Sequence, residues 1–546
     1  MERMSTESMQ QHDAPLDQHY DAVIVGAGFA GISALFHLRK IGLKAIILEA
    51  SEGVGGTWFN NRYPGARCDI ESLDYSLSLS ESIQQEWKWP ERYSDSRSIQ
   101  NYLDHTVDEL GLRESIRLRM TVAGATYDEM QNHWTTTTAD GANVESKFLV
   151  LATGVLSAAQ MPELPGHDLF TGRILHTASW PKDRVDFTNR RVAVIGTGSS
   201  ATQLIPLVAE QASQLAVFQR TANYVMPARN GVLDASTDQE WKARYSERRA
   251  QARASSNGHN QEPPHGPGKN LPPSERDREL ESRWKAGGLN MMRAFTDLLT
   301  DTEVNDYASR FVANKIRQTV QDPETAERLI PVDLPIGTKR LCSGTNYYET
   351  FNRPNVSLVS VAKEPIRGIT EQGMIVGDTH YEFDDIIMAT GFDAMTGSFL
   401  RIKVVGRNGQ TLQDHWEGGP RTNLGLMTDG FPNLFFLSGP QTPSVFSNMA
   451  TTSEMHAEWL ARFLKDLGTA NLSTIEPTQN SVDAWVDHVT ETASKTLYAD
   501  SRNSWFWGAN TPGKPRVFMP YTGGVENYNR FLSNSVNDNY SGFVRA

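Results

Sequence analysis

Two glycine-rich turns constrain this chain more than any other feature, because each sits in the same strand, turn, helix, strand frame. In the first, the apolar run 21–25 meets Gly26-Ala27-Gly28-Phe29-Ala30-Gly31. An amphipathic stretch follows to about residue 41, and a second apolar run, 44–48, ends in Glu49. In the second, the run 191–195 meets Gly196-Thr197-Gly198-Ser199-Ser200-Ala201, a helical stretch reaches about residue 210, and residues 214–218 form the next strand. Glycine at these positions permits a tight turn and lets a pyrophosphate approach the backbone at a helix N-terminus. A bare glycine pattern is weak evidence. The full frame, found twice, predicts an α/β chain with two Rossmann-like dinucleotide-binding domains.

The residue that ends each second strand separates the two nucleotides. Glu49 is placed to accept hydrogen bonds from ribose hydroxyls. That suits FAD, whose adenosine ribose is an uncharged diol. The second unit instead reads Gln219-Arg220-Thr221. A guanidinium pairs with a 2′-phosphate that a carboxylate would repel. Lys339 adds a second positive charge, so this unit is expected to hold NADPH rather than NADH. Arg220 as a solvated surface charge is the competing reading. Gly26, Gly28, Phe29, Gly31 and Glu49 are thus candidate FAD residues. Gly196, Thr197, Gly198, Ser199, Ser200, Gln203, Arg220, Thr221 and Lys339 are candidate NADPH residues.

At 546 residues the chain exceeds a single domain. Its net charge of −13 argues against bulk binding to nucleic acid or an anionic membrane. The two cysteines, Cys68 and Cys342, form no CxxC pair, which counts against a disulfide scaffold, a zinc site and a dithiol redox pair. Residues 1–19 are mostly polar, lack the apolar core of a signal peptide and read as a disordered arm. No run reaches the ~18 apolar residues of a membrane span. A soluble cytoplasmic enzyme without a metal is the expectation. Residues 84–113 read as helical and 121–138 as strands. Residues 230–330 turn rich in Arg, Glu and Ala at helical spacing, around a Pro- and Gly-rich loop at 255–274. There Ser274 to Asp277 fits a capping box, and Asp322-Pro323 fits an N-cap with proline in the first helical position. The expected division is an FAD domain of 20–155 and 389–546, an NADPH domain of 156–229 and 331–388, and a mainly helical insertion, 230–330, within the latter.

Three further stretches carry a resemblance. Gly55-Gly56-Thr57-Trp58, continuing to Tyr63-Pro64-Gly65-Ala66-Arg67-Cys68-Asp69, is a loop whose backbone glycine and proline fix. Between the two nucleotide turns, Phe170, Gly172, His176, Trp180 and Pro181 stand at the spacing F-x-G-x-x-x-H-x-x-x-W-P. Two apolar runs end in Ala152-Thr153-Gly154 and Ala389-Thr390-Gly391, turns that look like crossovers between two nucleotide domains. Together these resemble the Baeyer–Villiger monooxygenases, flavoenzymes that insert an oxygen atom next to a ketone carbonyl. Residues 63–72, Gly337-Thr338-Lys339-Arg340 and residues 347–353 place the resemblance in the phenylacetone and steroid ketone branch, and it covers nearly the whole chain from about residue 20.

The resemblance implies that loop 55–69 lies along the flavin, with Asp69 by its reactive ring. It adds Gly56, Thr57, Trp58, Arg67, Tyr75 and Val122 as FAD contacts. It makes 441–449, with Val445, Phe446 and Met449, the substrate-pocket loop. It makes 503–510 a segment that closes over the nicotinamide, where the Trp505 indole could donate to the cofactor ribose. Trp58, Tyr63 and Trp505 equally read as packing aromatics, and 441–449 as a buried packing loop. His176 is read as an interdomain linker rather than a substrate contact.

The implied reaction runs from NADPH to FAD, then through a flavin C4a-peroxide that attacks the ketone to give an ester or lactone; sulfoxidation is possible too. A peroxyanion needs a fixed cation, and Arg340 suits that role because arginine stays charged and presents several donors in a plane. Asp69 is its expected orienting partner. Arg340 as a second phosphate ligand beside Lys339 is the alternative. Two other functions stay open: a flavin monooxygenase of sulfur or nitrogen nucleophiles, and a non-oxygenating NADPH oxidase or electron carrier. Trp180-Pro181 argues against the first. The expected partners are a small ketone and O₂, with the ketone and the oligomeric state unspecified.

Overall fold

The computed structural model describes residues 17–501 and 503–546; residues 1–16 of the expected arm lie outside the described residues. In the strand His19–Val25, Ala22 and Ile24 enter one apolar core while Val23 and Val25 enter another. This alternation follows from the pleat, and the run is apolar throughout because both faces of the sheet are covered. The sheet runs in the order Lys403–Val405, Val122–Asp128, His133–Thr138, Asn143–Leu151, His19–Val25, Ala45–Leu48, Ile116–Arg117. Strand Asn143–Leu151 divides its edge between two partners. Its residues 143–146 pair antiparallel with His133–Thr138, and residues 149–151 pair in parallel with Leu434–Phe436. The returning chain therefore re-enters the first sheet and delivers the helix Met449–Thr469, which packs along Phe29–Lys40.

The second sheet is parallel throughout, in the order Val356–Ser360, Gln214–Gln219, Arg191–Ile195, Asp385–Met388, Arg173–His176. A three-stranded meander, Ile366–Thr370, Gly373–Val376 and Thr379–Glu382, covers one face by setting Ile369, Met374 and Val376 against Ala193, Ile195 and Phe218. On the other face, Leu280, Val304 and Val312 of the helical stretch join Val192, Val194 and Leu204 in one core. The architecture is thus α/β, with two Rossmann-like units and a helical insertion continuous with the second. The insertion also touches the first unit, through Trp241 and Tyr245. No helix among the described residues is long and apolar enough to cross a membrane.

One local expectation fails. Helix Pro273–Ala286 starts a residue before Ser274, with Pro272 at its N-cap and no side-chain cap. Proline's fixed φ opens the helix there, so the Ser274–Asp277 capping box is not used. At Asp322 the carboxylate does accept from the Thr325 amide at 2.8 Å, with Pro323 next.

The fingerprint forms an edge strand of the second sheet, Arg173–His176. Gly172 approaches so closely that a Cβ there would lie 2.3 Å from the Asp384 carbonyl oxygen. Arg173 and Arg190 both clasp the carboxylate of Asp385, which is fully buried. His176 accepts from the Ala178 amide at 3.0 Å through Nδ1, while its Nε2 lies 3.3 Å from Thr390 Oγ1 and 3.4 Å from the Gln160 carbonyl. Burial pushes its pKa down, so a neutral imidazole ties the second crossover turn to the chain just beyond the first. Trp180 is buried beside Phe187, and Phe170 packs against the meander core. The Asp385→Asn variant removes the buried charge that both arginines clasp. It is expected to cost about 3 kcal/mol, read as a lowered midpoint of thermal unfolding; an unchanged midpoint would deny the clasp a structural role.

Candidate functional site

Several helices of this protein begin at a Ser, Thr, Asp or Asn whose side chain caps the first turn, as at Ser80, Asp95, Asp234, Asp301 and Thr478. The helices that follow the two glycine turns do not. Phe29–Lys40 and Ser199–Ala209 have glycine N-caps, Gly28 and Gly198, without a capping side chain. Their first-turn amides are left for an anion. Around the first, Gly26 has φ +107° and a Cβ on Gly31 would lie 1.9 Å from the Gly26 oxygen. Gly56, at φ +54°, faces Gly28 so that a Cβ on it would meet Gly28 Cα at 3.2 Å. The result is a bare backbone cradle of the size a diphosphate needs. Buried Glu49 accepts from the Ala27 amide at 2.6 Å and from the Ser51 amide at 2.8 Å, which sets its carboxylate at the mouth of the cradle. Around the second, Gly196 has φ +113°, and nothing lies within 4 Å of where a Gly198 Cβ would stand. The residues present fit two dinucleotides.

The remaining first-unit candidates form one aromatic corner. Trp58, beside Thr57 in the short helix Thr57–Asn60, donates to the Tyr75 hydroxyl at 3.0 Å, and Tyr75 lies edge-on to Phe29 with centroids 4.9 Å apart. Val122 is buried at the start of its strand. Arg67 and Gln203 are placed differently from expectation. The Arg67 guanidinium donates to Glu91 at 2.6 Å and to the Tyr93 carbonyl at 2.7 Å, and the Gln203 amide donates to the Arg67 carbonyl at 3.1 Å while accepting from the Tyr63 hydroxyl at 2.9 Å. The Arg67 side chain thus ties loop 55–69 to its own unit, while Gln203 holds the same loop to the helix of the second unit through the Arg67 carbonyl and the Tyr63 hydroxyl.

Arg220 and Thr221 line a cleft of ≈ 500 Å³ with Lys339, Asp333, Ser504 and Arg516. Neither Arg220 nor Lys339 is paired with a carboxylate among the described residues. Burial first, and Arg220 second, push the Lys339 pKa down. A lysine disfavoured as a cation by burial and a neighbouring arginine is a site for an added anion.

The next residue, Arg340, turns elsewhere. Its Nε donates to Asp69 Oδ2 at 3.0 Å and its Nη2 to Oδ1 at 2.7 Å, a two-point pair across 271 positions of sequence. Its Nη1 donates to the Val445 carbonyl. Burial lowers its pKa, but Asp69 more than offsets this and the guanidinium is held charged. Lys339 and Arg340 part at a bend ahead of the short strand Cys342–Gly344. Beyond Val445, the Phe446 ring packs on Phe506 at 4.6 Å and Tyr498 at 4.9 Å, and Trp505 lies tilted against Phe506 with centroids 4.3 Å apart. Met449 opens its helix behind an Asn448 cap.

One part of this centre was not legible as such. The loop of the helical insertion, residues 255–260, lies against it. The Asn448 amide donates to the Asn257 carbonyl at 2.8 Å, and the Asn448 side chain to the Asp74 carbonyl at 2.8 Å. Asn260 in turn donates to both oxygens of the Asp74 carboxylate, at 2.9 and 2.7 Å. Burial pushes the Asp74 carboxyl up to about 7. Composition marked this stretch as a loop, and nothing local in it says where a loop docks.

Comparison with known proteins agrees with this geometry. A family profile described as pyridine nucleotide-disulphide oxidoreductase matches residues 20–253; Cys68 and Cys342 are both free, so the match concerns the nucleotide fold and not a dithiol. A Baeyer–Villiger monooxygenase of Pseudooceanicola batsensis is 39% identical over 531 residues, covering 96% of each chain. An acetone monooxygenase (methyl acetate-forming) of Gordonia sp. is 38% identical over 527 residues, 96% of this chain and 98% of that one. Among solved structures, an oxidized steroid monooxygenase bound to NADP is 47% identical with a TM-score of 0.92, covering 96% of this chain and 99% of that one. With full-length similarity of this kind, two bare diphosphate cradles and a charged centre between them, the chain belongs to the Baeyer–Villiger monooxygenases, NADPH-dependent flavoprotein oxidoreductases.

Proposed function

We propose that this enzyme converts ketones to esters or lactones with FAD, NADPH and O₂, and that Arg340 and Asp69 form its reaction centre. The observation that carries the reading is the single guanidinium bonded at once to Asp69 on the flavin-side loop and to Val445 on the pocket loop. FAD, when bound, stores the electrons of NADPH and activates oxygen. The first cradle, with Gly26, Gly28, Gly31 and Gly56, holds its diphosphate, and Glu49 its ribose. The chain's own contribution at the reacting atoms is electrostatic. Arg340 places a permanent cation beside the oxygen that gains negative charge, and fixed charge of this kind is commonly the largest catalytic factor. Asp69 fixes the plane of the guanidinium. Phe446, Tyr498 and Phe506 supply an apolar wall that keeps water away from that charge. Arg220 and Lys339 take the 2′-phosphate of NADPH, and the segment carrying Ser504 and Trp505 borders the same cleft.

Variants at four residues test this reading. Arg340→Ala is expected to keep binding FAD and NADPH while ester formation falls on the order of 10²–10³-fold, and Arg340→Lys restores only part, because a point charge lacks the planar fork. Asp69→Ala slows both flavin reduction and ester formation; stopped-flow absorbance with product quantified alongside measures both. Near-normal ester yield from Arg340→Ala returns that residue to a phosphate-binding role. Arg220→Ala is expected to raise KM for NADPH about tenfold or more and to leave NADH unaffected, since one charge-assisted contact is lost; equal losses with both would make Arg220 structural. Phe446→Ala is expected to admit bulkier ketones or change regiochemistry with flavin reduction retained, read from product profiles over a ketone panel.

A further inference from the structure

One side chain beside the reaction centre has no use in the scheme above. His259 is 4% exposed, its Nδ1 is wholly buried, and its imidazole has no hydrogen-bond partner among the described residues. The backbone fixes its place. Its carbonyl accepts from Ser255 Oγ at 3.2 Å. On one side, Gly258 abuts Asn448, whose amide nitrogen would lie 3.5 Å from a Cβ on that glycine. On the other side, Asn260 holds Asp74. The charges that act on the ring are Asp69, Arg293 and Arg340. Burial keeps the imidazole neutral, so it offers one donor and one acceptor.

Arg293 reaches the same loop from the short helical turn Gly288–Arg293. Its Nη1 donates to Ser256 Oγ at 2.6 Å. Its Nε is buried without a partner, and no carboxylate pairs with it among the described residues. Buried polar atoms in folded proteins are almost always satisfied, and the exceptions call for an explanation such as a ligand. With Arg340, Arg293 and Asp69 as the charges around His259, this corner carries an excess of one positive charge, which an anionic group would balance.

We propose that His259 and Arg293 form a second polar anchor of the ketone pocket, and that the preferred ketone carries a hydrogen-bond acceptor, a carboxylate best of all, at the end away from its carbonyl. The proposal rests on the reading of Arg340 and Asp69 as the reaction centre. A guanidinium and a neutral imidazole together match a carboxylate by charge and by donor count. The anchor fixes which end of the substrate faces Arg340 and so would bear on regiochemistry.

The test compares an aryl ketone bearing a ring carboxylate with its methyl ester. Wild-type enzyme is expected to prefer the acid at least about tenfold in kcat/KM, with the difference in KM. Arg293→Met is expected to abolish that preference by raising KM for the acid. Arg293→Lys keeps part of it by keeping the charge. His259→Leu weakens it and His259→Asn restores it in part. Calorimetric binding of both compounds to the enzyme loaded with FAD and NADP⁺ gives a readout independent of turnover. Equal binding of acid and ester by wild-type enzyme, or a preference that survives both Arg293→Met and His259→Leu, overturns the anchor. Tighter binding of the acid that Arg293→Met abolishes, with no ester formed from either compound, supports the anchor and instead overturns the reaction-centre reading.

Discussion

The pairing of Arg340 with Asp69 is the contact on which the site depends. Asp69 belongs to a loop of the first unit, Arg340 follows the helical insertion, and Val445 comes from the chain's return to the first unit. An arginine presents its donors in a rigid plane, so these contacts fix the spacing of three segments as well as supplying a charge. Without Asp69 the half-buried guanidinium would lose its counter-charge, and an unpaired charge is costly away from bulk water. In the proposed scheme structural and catalytic demands fall on the same atoms, which is why geometry and chemistry need to be tested with different readouts.

Around that contact the two units are also joined by directional hydrogen bonds. Tyr63, Arg67 and Gln203 bind the flavin-side loop to the helix of the second unit. His176 ties the crossover turns together, and Asp74 draws the insertion loop onto the helix cap at Asn448. Bonds of this kind are directional, so they position partners well, yet each contributes little net stability. The stability of each unit lies in its own apolar cores, which cover both faces of each sheet.

The helix ends show how the same backbone rule serves structure and function. A side-chain cap satisfies the first-turn amides of a helix, and this protein uses one at several of its helices. At the two glycine turns it uses none, and the amides remain for a ligand. A Cβ would fit at the caps themselves, Gly28 and Gly198, whereas a side chain at the neighbouring Gly26 or Gly31 would collide with backbone oxygen, so the close approach is built by those two positions.

What the sequence by itself determined is what short-range physics writes into it. The apolar run in residues 21–25, the glycine turns, the acidic Glu49 against the basic Arg220, and the Asp322-Pro323 helix start all depend on neighbours within one turn or one strand, so they are legible in order along the chain. The Pro272-Pro273 start overrode the Ser274 capping pattern for an equally local reason, the fixed φ of proline. The tertiary structure alone decided which distant residues meet. Arg67 turned to Glu91 because folding brought a carboxylate within reach, 24 positions on. The insertion loop carrying His259 came to rest beside Asp69 although nearly 200 residues separate them. Pairings over such separations leave no periodicity in the sequence; they arise only when the sheets and helices have fixed the loops in space.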